Sequence, residues 1–216
     1  GIDMELREVY SKMFGWMFVG LLVTFLTGYI VSNSYDILLL VVQVPFIVYA
    51  IIEIGLVIFF SLKIKTMSST TAKICFILYS FVTGLTFSFL FLVYELYSLI
   101  YVFGITAFIF GIFALIGYFT KIDLSKISTF LFMSLFAIII CSLINMFIGN
   151  ETFDLILTII GIVVFLGYTA YDIQKVKYQL DSFPQENLAI YGALELYLDF
   201  INLFLKFLRV LGKRKN

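Results

Sequence analysis

The stretch Leu188–Leu205, LAIYGALELYLDFINLFL, decides the fold. At about 1.5 Å per helical residue its length matches the hydrocarbon thickness of a bilayer, roughly 30 Å, yet it carries Glu195, Asp199 and Asn202. With Glu195 at zero and ~100° per residue, Asp199 falls at about 40°, Asn202 at about −20°, Lys206 at about 20° and Tyr191 at about −40°. The strongly polar side chains therefore share one narrow stripe, and Leu, Phe, Ile and Ala make up the rest. Such a helix must turn its stripe to protein or to a wet cavity, and its apolar remainder suits it to be surrounded by other helices.

Six further apolar stretches lie upstream: Met13–Val31, Ile37–Leu62, Ile74–Tyr94, Leu99–Phe119, Ile127–Gly149 and Leu155–Tyr171. The fold class is therefore all-α, an integral membrane protein of seven transmembrane helices. Of 216 residues, 62% are hydrophobic and 13% charged, with a mean hydropathy of +1.11, against roughly 45–50% and about 25% in soluble domains. A water-soluble domain is excluded. Seven spans of about 20 residues leave room only for short connections, giving a cytoplasmic N-terminal segment 1–12, a transmembrane domain 13–205 and a basic tail 206–216. Gly1 to Asp3, opening on Gly instead of Met, reads as a processing remnant. The first stretch lacks a small-x-small cleavage site and is expected to be retained.

Several local features set expectations. The second stretch exceeds what a bilayer needs, so it is expected to tilt or to kink at Pro45. Ser68 to Thr71 and Asp181 to Pro184 read as loops. In the fourth span Gly104, Ala107, Gly111 and Ala114 recur at three- and four-residue steps, a smooth face for a neighbouring helix. Cys75 and Cys141 lie at depths differing by roughly 20 Å, which excludes a disulfide.

Basic residues are distributed unevenly. Arg7 and Lys12 precede span one, Lys63, Lys65 and Lys73 follow span two, Lys121 and Lys126 follow span four, and Lys175 and Lys177 follow span six. The first, third and fifth connections carry only Asp36, Glu95, Glu151 and Asp154. The positive-inside rule then orients the N-terminus to the cytoplasm of a multi-pass cell-membrane protein. Lys206, Arg209, Lys213, Arg214 and Lys215 disagree with seven full crossings. Either the tail is carried across, which the length of the last span supports, or the seventh segment is re-entrant.

The chain has no histidine, so His-based catalysis, His ligation of haem and most zinc sites are excluded. Equal numbers of acidic and basic residues, 14 each, give no argument for nucleic acid. The informative residues are acids inside spans, each costing about 2.5–3.5 kcal/mol at the bilayer centre: Glu53, Asp172, Glu195 and Asp199. Span six has its own stripe, Gly161, Phe165, Tyr168, Asp172, Lys175 and Gln179. On the apolar boundaries alone Asp172 and Asp199 differ in depth by roughly 16 Å, a gap that closes if span six runs on to Leu180. Blander readings make Asp172 a solvated acid at a helix end, Asp199 a structural acid paired with Lys206 or a tyrosine, and Glu53 a structural hydrogen-bonding residue.

The run Ala193-Leu194-Glu195-Leu196-Tyr197-Leu198-Asp199-Phe200-Ile201-Asn202-Leu203-Phe204, with Gly167-Tyr168-Thr169-Ala170-Tyr171-Asp172 before it, resembles the transmembrane Bax inhibitor motif family in its bacterial branch. Ile52-Glu53-Ile54 and the Met13-Phe14 opening of span one extend the likeness over nearly the whole chain. The resemblance implies six helices around a central seventh and a pH-sensitive calcium leak channel. It also implies a paired-aspartate pH sensor and gate at Asp172 and Asp199, with Glu53 as the matching span-two acid. Where relatives can carry arginines at the cytoplasmic end of span two, this chain has Lys63 and Lys65, which cannot make a forked contact to Asp172.

On this reading the protein is not an enzyme and needs no cofactor. Ca2+ is the transported ion and the bilayer the other partner, with no nucleic acid and a monomeric state. The ion pathway is Glu53, Glu195 and Asn202, and the carboxylates of Asp172, Asp199 and Glu53 are the metal-facing ligands. Two carboxylates in a poorly hydrated site cannot both ionise cheaply, so the aspartates are expected to titrate as a coupled pair. An intramembrane aspartyl protease is the rival, since it also pairs Tyr-Asp in span six with an aspartate in span seven. Its Gly-x-Gly-Asp is replaced here by Leu196-Tyr197-Leu198-Asp199, and no Pro-Ala-Leu element follows. A non-conducting modulator of a membrane protease or of stress signalling is the third reading.

Overall fold

The computed structural model describes residues 2–216, so Gly1 of the expected processing remnant lies outside the described residues. The helices in chain order are α1 Ile2–Ser32, α2 Tyr35–Gln43, α3 Phe46–Lys63, α4 Ser69–Val93, α5 Leu96–Phe119, α6 Ser125–Ile148, α7 Glu151–Gln179 and α8 Gln185–Leu211. All but α2 are long and apolar enough to cross a membrane, seven candidate spans among the described residues. Large apolar side chains such as Leu62, Phe108, Phe130 and Phe147 point outward, as lipid-facing side chains do. The last span is the most enclosed, with 72% of its apolar window inside the protein against 11% for α3 and for α6.

The expected second span is two helices, not one kinked helix. Pro45 has no N–H to offer Val41, and it forces Val44 into extended backbone (φ −81°, ψ 124°). Backbone groups at membrane depth must find partners within the protein. The Tyr49 hydroxyl takes over, donating to the Val41 carbonyl at 2.7 Å, and Tyr49 packs with Val31, Val41 and Val82. The spanning part is α3 alone, while α2 is nine residues and too short to cross.

By its contacts the chain forms two compact units. One comprises the chain up to Leu96 with Val176–Tyr197 and Arg214–Asn216, the other Tyr97–Lys175 with Leu198–Lys213. In the first, α1 and α4 are drawn together by glycines. A Cβ on Gly84 would come within 2.6 Å of Thr27 Cβ and 2.8 Å of the Thr24 carbonyl oxygen. Without a hydrophobic driving force between helices in lipid, such close approach is what binds them. The Thr24 hydroxyl donates across the seam to the Ser80 carbonyl at 2.8 Å, and edge-to-face pairs Trp16–Phe76, Phe25–Phe87 and Tyr29–Phe91 line it. Ser68 caps α4, accepting from Thr71 N at 3.1 Å, so the expected Ser68–Thr71 loop is a cap and a first turn.

In the second unit the expected small-residue face of α5 proves to be elsewhere. Gly104 and Gly111 have nothing within 4 Å of an added Cβ. The buried positions are Ser98, Leu99, Val102, Thr106, Phe110, Ala114 and Gly117, and the close approach is at Gly117, whose Cβ would sit 2.2 Å from the Ala170 carbonyl oxygen. Ahead of α6, Asp123 accepts from the Ser125 hydroxyl at 2.6 Å and from Ser125 N at 3.1 Å. These bonds to the ionised form hold its carboxyl below the usual range. Both cysteines are free.

The ends of α8 decide between crossing and re-entry. Near its start Asn187, buried, donates from Nδ2 to the Ile64 and Met67 carbonyls at 2.7 and 2.8 Å, at the turn that leads into α4. Beyond its end, Lys215 N donates to the Val93 carbonyl at 2.8 Å, and the Arg214 guanidinium lies over the Tyr94 ring, at the other end of α4. The tail is therefore carried across, away from the Lys63–Lys73 connection. With Cys75 and Cys141 replaced by alanine, new cysteines at Ser69 and Asn216 are expected to react with membrane-impermeant thiol probes added from opposite sides. Labelling of both from one side would return the seventh segment to a re-entrant hairpin.

Candidate functional site

Within the second unit, α7 and the C-terminal half of α8 present their polar stripes to each other. At one level Lys206 Nζ lies 4.9 Å from the centre of the Phe165 ring. Its Cε rests so near Gly161 that a Cβ there would come within 2.4 Å. Further toward the end of α8, Arg209 pairs with Asp154 at 2.8 Å. In an antiparallel pair, residues stepped forward along one helix match residues stepped back along the other. The Phe165–Lys206 and Gly161–Lys206 contacts therefore put Asp199 level with the turn that runs from Tyr168 to Asp172. The depth gap of roughly 16 Å expected from the apolar boundaries shrinks to about one turn, ~5 Å, because α7 runs on to Gln179.

Both aspartates are buried, Asp172 at 5% and Asp199 at 4% exposure. That sets aside a solvated helix-end acid at position 172. Asp172 Oδ1 is paired with Lys175 Nζ at 3.1 Å, one turn along the same helix, and both side chains are largely enclosed. Lys175 in turn lies over the Tyr171 ring at 5.2 Å. Tyr168 joins the two acids, since its phenol lies in the electrostatic field of Asp172, Asp199 and Lys175 together. A buried ion pair of this kind breaks at a cost of about 3–5 kcal/mol if one partner is removed. The register thus leaves Asp172 and Asp199 within about one turn of each other in depth, with Lys175 and Tyr168 near them. Phe200 and Phe204, flanking the stripe, pack on Phe103 with ring centres at 5.1 and 6.2 Å.

The other site residues fall as follows. Asn202 turns its amide to its own helix, donating to the Leu198 carbonyl at 2.8 Å. Glu195 is half-buried, one turn before Asp199. Glu53 belongs to the first unit, where it accepts from the Thr83 hydroxyl at 3.3 Å and lies in the field of Tyr79 and Tyr197. Tyr197 is fully buried and hydrogen-bonded to Thr24. Asp172 is committed to Lys175 and Glu53 to Thr83. Among the described residues no group of three or more acidic, cysteine or histidine side chains is arranged to hold a metal ion. Lys65, one of the two lysines in place of family arginines, lies over the Phe183 ring at 5.1 Å.

Sequence reasoning missed two amide clamps. Gln174, two residues beyond Asp172 and 4% exposed, accepts from Leu124 N at 2.8 Å and donates to the Ile122 carbonyl at 2.7 Å. It holds the basic connection between α5 and α6 onto α7. Asn187 does the same for the connection between α3 and α4 in the first unit. An amide near a helix end reads as solvated, so the local pattern carried no signal for either clamp.

The seat of Asp172 can be tested through Gly117. An alanine there would meet the Ala170 backbone, which cannot swing aside, and overpacking of this kind costs about 1–3 kcal/mol. Gly117→Ala is expected to lower the melting temperature in detergent by several degrees. Gly111→Ala, on the open face of the same helix, is expected to leave it unchanged; equal melting of the two variants would remove the close approach.

Comparison with known proteins gives the same assignment. Residues 6–216 match the family described as inhibitor of apoptosis-promoting Bax1. The chain is 42% identical to the inner membrane protein YbhL of Escherichia coli, covering 97% of this chain and 93% of that one. It is 39% identical to an uncharacterized Borreliella burgdorferi protein, over 97% and 94% of the two chains, and 35% identical to a Rickettsia prowazekii protein, over 99% and 93%. With seven apolar helices and such relatives it is a multi-pass membrane protein, and the chain belongs to the Bax inhibitor family.

Proposed function

We propose that the protein is a passive calcium leak channel of the cell membrane, opened and closed by the protonation of Asp172 and Asp199, with its N-terminus in the cytoplasm. The observation that carries this reading is the pair of buried aspartates on facing helices, with Tyr168 in the field of both. With a proton shared in the pair, the carboxyls hydrogen-bond and hold α7 to α8. When that proton leaves, two anions face each other in a low dielectric and repel. The seam between the helices then loosens beside the stripe of Glu195, Asp199 and Asn202.

Calcium suits such a path, since it takes several oxygen ligands in irregular geometry. The stripe supplies carboxylate and amide oxygens. No histidine competes for softer metals. The protein acts as a monomer with Ca2+ as its cargo. Flux is slow because the gate is a packed helix interface.

The test is calcium influx into liposomes holding the purified protein. Wild type is expected to pass more calcium as pH rises from about 6 to about 8, where perturbed functional carboxyls titrate. Asp199→Asn keeps the shape of the site but removes its charge, and is expected to flatten that profile. Asp36→Asn, in the first turn of α2, is expected to keep it. Identical profiles for wild type and Asp199→Asn would end the gating claim.

A further inference from the structure

The α8 stripe runs Glu195, Asp199, Asn202, Lys206, so two acids and an amide are followed by a base. The surroundings of that base are unusual for a membrane helix. Arg209, one turn on, is neutralised by Asp154 at 2.8 Å. Lys206 has no carboxylate partner among the described residues, and the charged neighbour acting on it is Arg209, a second cation. Its ammonium is held by the face of Phe165 at 4.9 Å and its methylenes by the notch at Gly161. An aromatic face stabilises a desolvated cation without cancelling its charge. The field of Lys206 therefore reaches along the stripe, where Asn202 is one turn away.

A lysine placed only for packing would leave that charge without a purpose, at a real cost in burial. A methionine would fill the same notch and touch the same ring. We propose that Lys206 is a specificity-determining residue for ion passage, a fixed positive charge that slows cations leaving the carboxylate stripe and slows divalent ones most. The inference rests on the leak-channel reading above. Electrostatic work against a fixed charge is proportional to the valence of the passing ion. Removing the charge therefore raises divalent flux by the square of the factor for monovalent flux. Loosened packing would raise both by the same factor.

The experiment compares calcium and potassium influx into liposomes at one fixed pH for wild type, Lys206→Met and Lys206→Arg. Lys206→Met is expected to raise potassium influx about threefold and calcium influx about tenfold, the square-law ratio, while Lys206→Arg keeps the wild-type calcium-to-potassium ratio. Lys206→Gln, neutral and polar, carries the same expectation and replaces the methionine variant should that one fail to fold. A wild-type that leaks calcium, with an unchanged ratio in the neutral variants, overturns the role of Lys206 and leaves the leak reading standing. No calcium influx in any of the proteins overturns the leak reading, and the role of Lys206 with it.

Discussion

An ionised side chain in hydrocarbon must be housed, and the arrangement of α7 and α8 follows from housing Asp172 and Asp199. A carboxylate facing lipid would cost several kcal/mol, so the acids are turned inward, to 5% and 4% exposure. Asp172 is matched by Lys175 at 3.1 Å on its own helix. That local pairing offsets the cost of enclosing the first acid. The flat surfaces that bring α7 close, Gly117 against Ala170 and Gly161 against Lys206, serve the same end by letting helices approach where the polar groups must meet.

Charge along the seam is graded. It begins with a compensated pair at Asp172 and Lys175, passes Asp199, reaches Lys206 on its aromatic seat, and closes with the Asp154–Arg209 pair. Two of the three basic residues are neutralised by a carboxylate within one turn or across the helix pair, and one is not. Lys206, half-buried, rests its charge on the Phe165 ring instead.

The first unit solves a different problem, the satisfaction of polar groups without water. Tyr49 supplies the hydrogen bond that Pro45 cannot, Thr24 bonds across the α1–α4 seam, and Asn187 closes two carbonyls of the turn before α4. The first and last of these bonds are made to backbone groups freed at a break or a helix end, as a membrane interior demands, and the Thr24 bond ties two helices at mid-span. The result is a well-fastened bundle in which half-buried Glu53 accepts from Thr83, with Tyr79 and Tyr197 about it.

Length, hydropathy and helical period are properties of the chain taken a segment at a time. For that reason the seven spans, the absence of a disulfide, the single polar stripe of α8 and the matching stripe of α7 were all legible in the sequence, and the family resemblance rested on those same residues. What tertiary structure decided depends on which group a neighbouring helix offers at the same depth, and no local pattern encodes that. The register that sets Asp199 level with the turn from Tyr168 to Asp172 comes from Lys206 meeting Phe165 and Gly161. Small residues on α5 were visible, but only packing shows that Gly117 and not Gly104 or Gly111 meets a neighbour. Pro45 announced a disturbance, while the complete break needed Tyr49 in reach of Val41. The crossing of α8 was open to two readings because its charges pointed one way and its length the other. Contacts of Asn187 at one end of α4 and of Arg214 and Lys215 at the other resolve it, since a helix bound at both ends of its neighbour has to run the full distance between them.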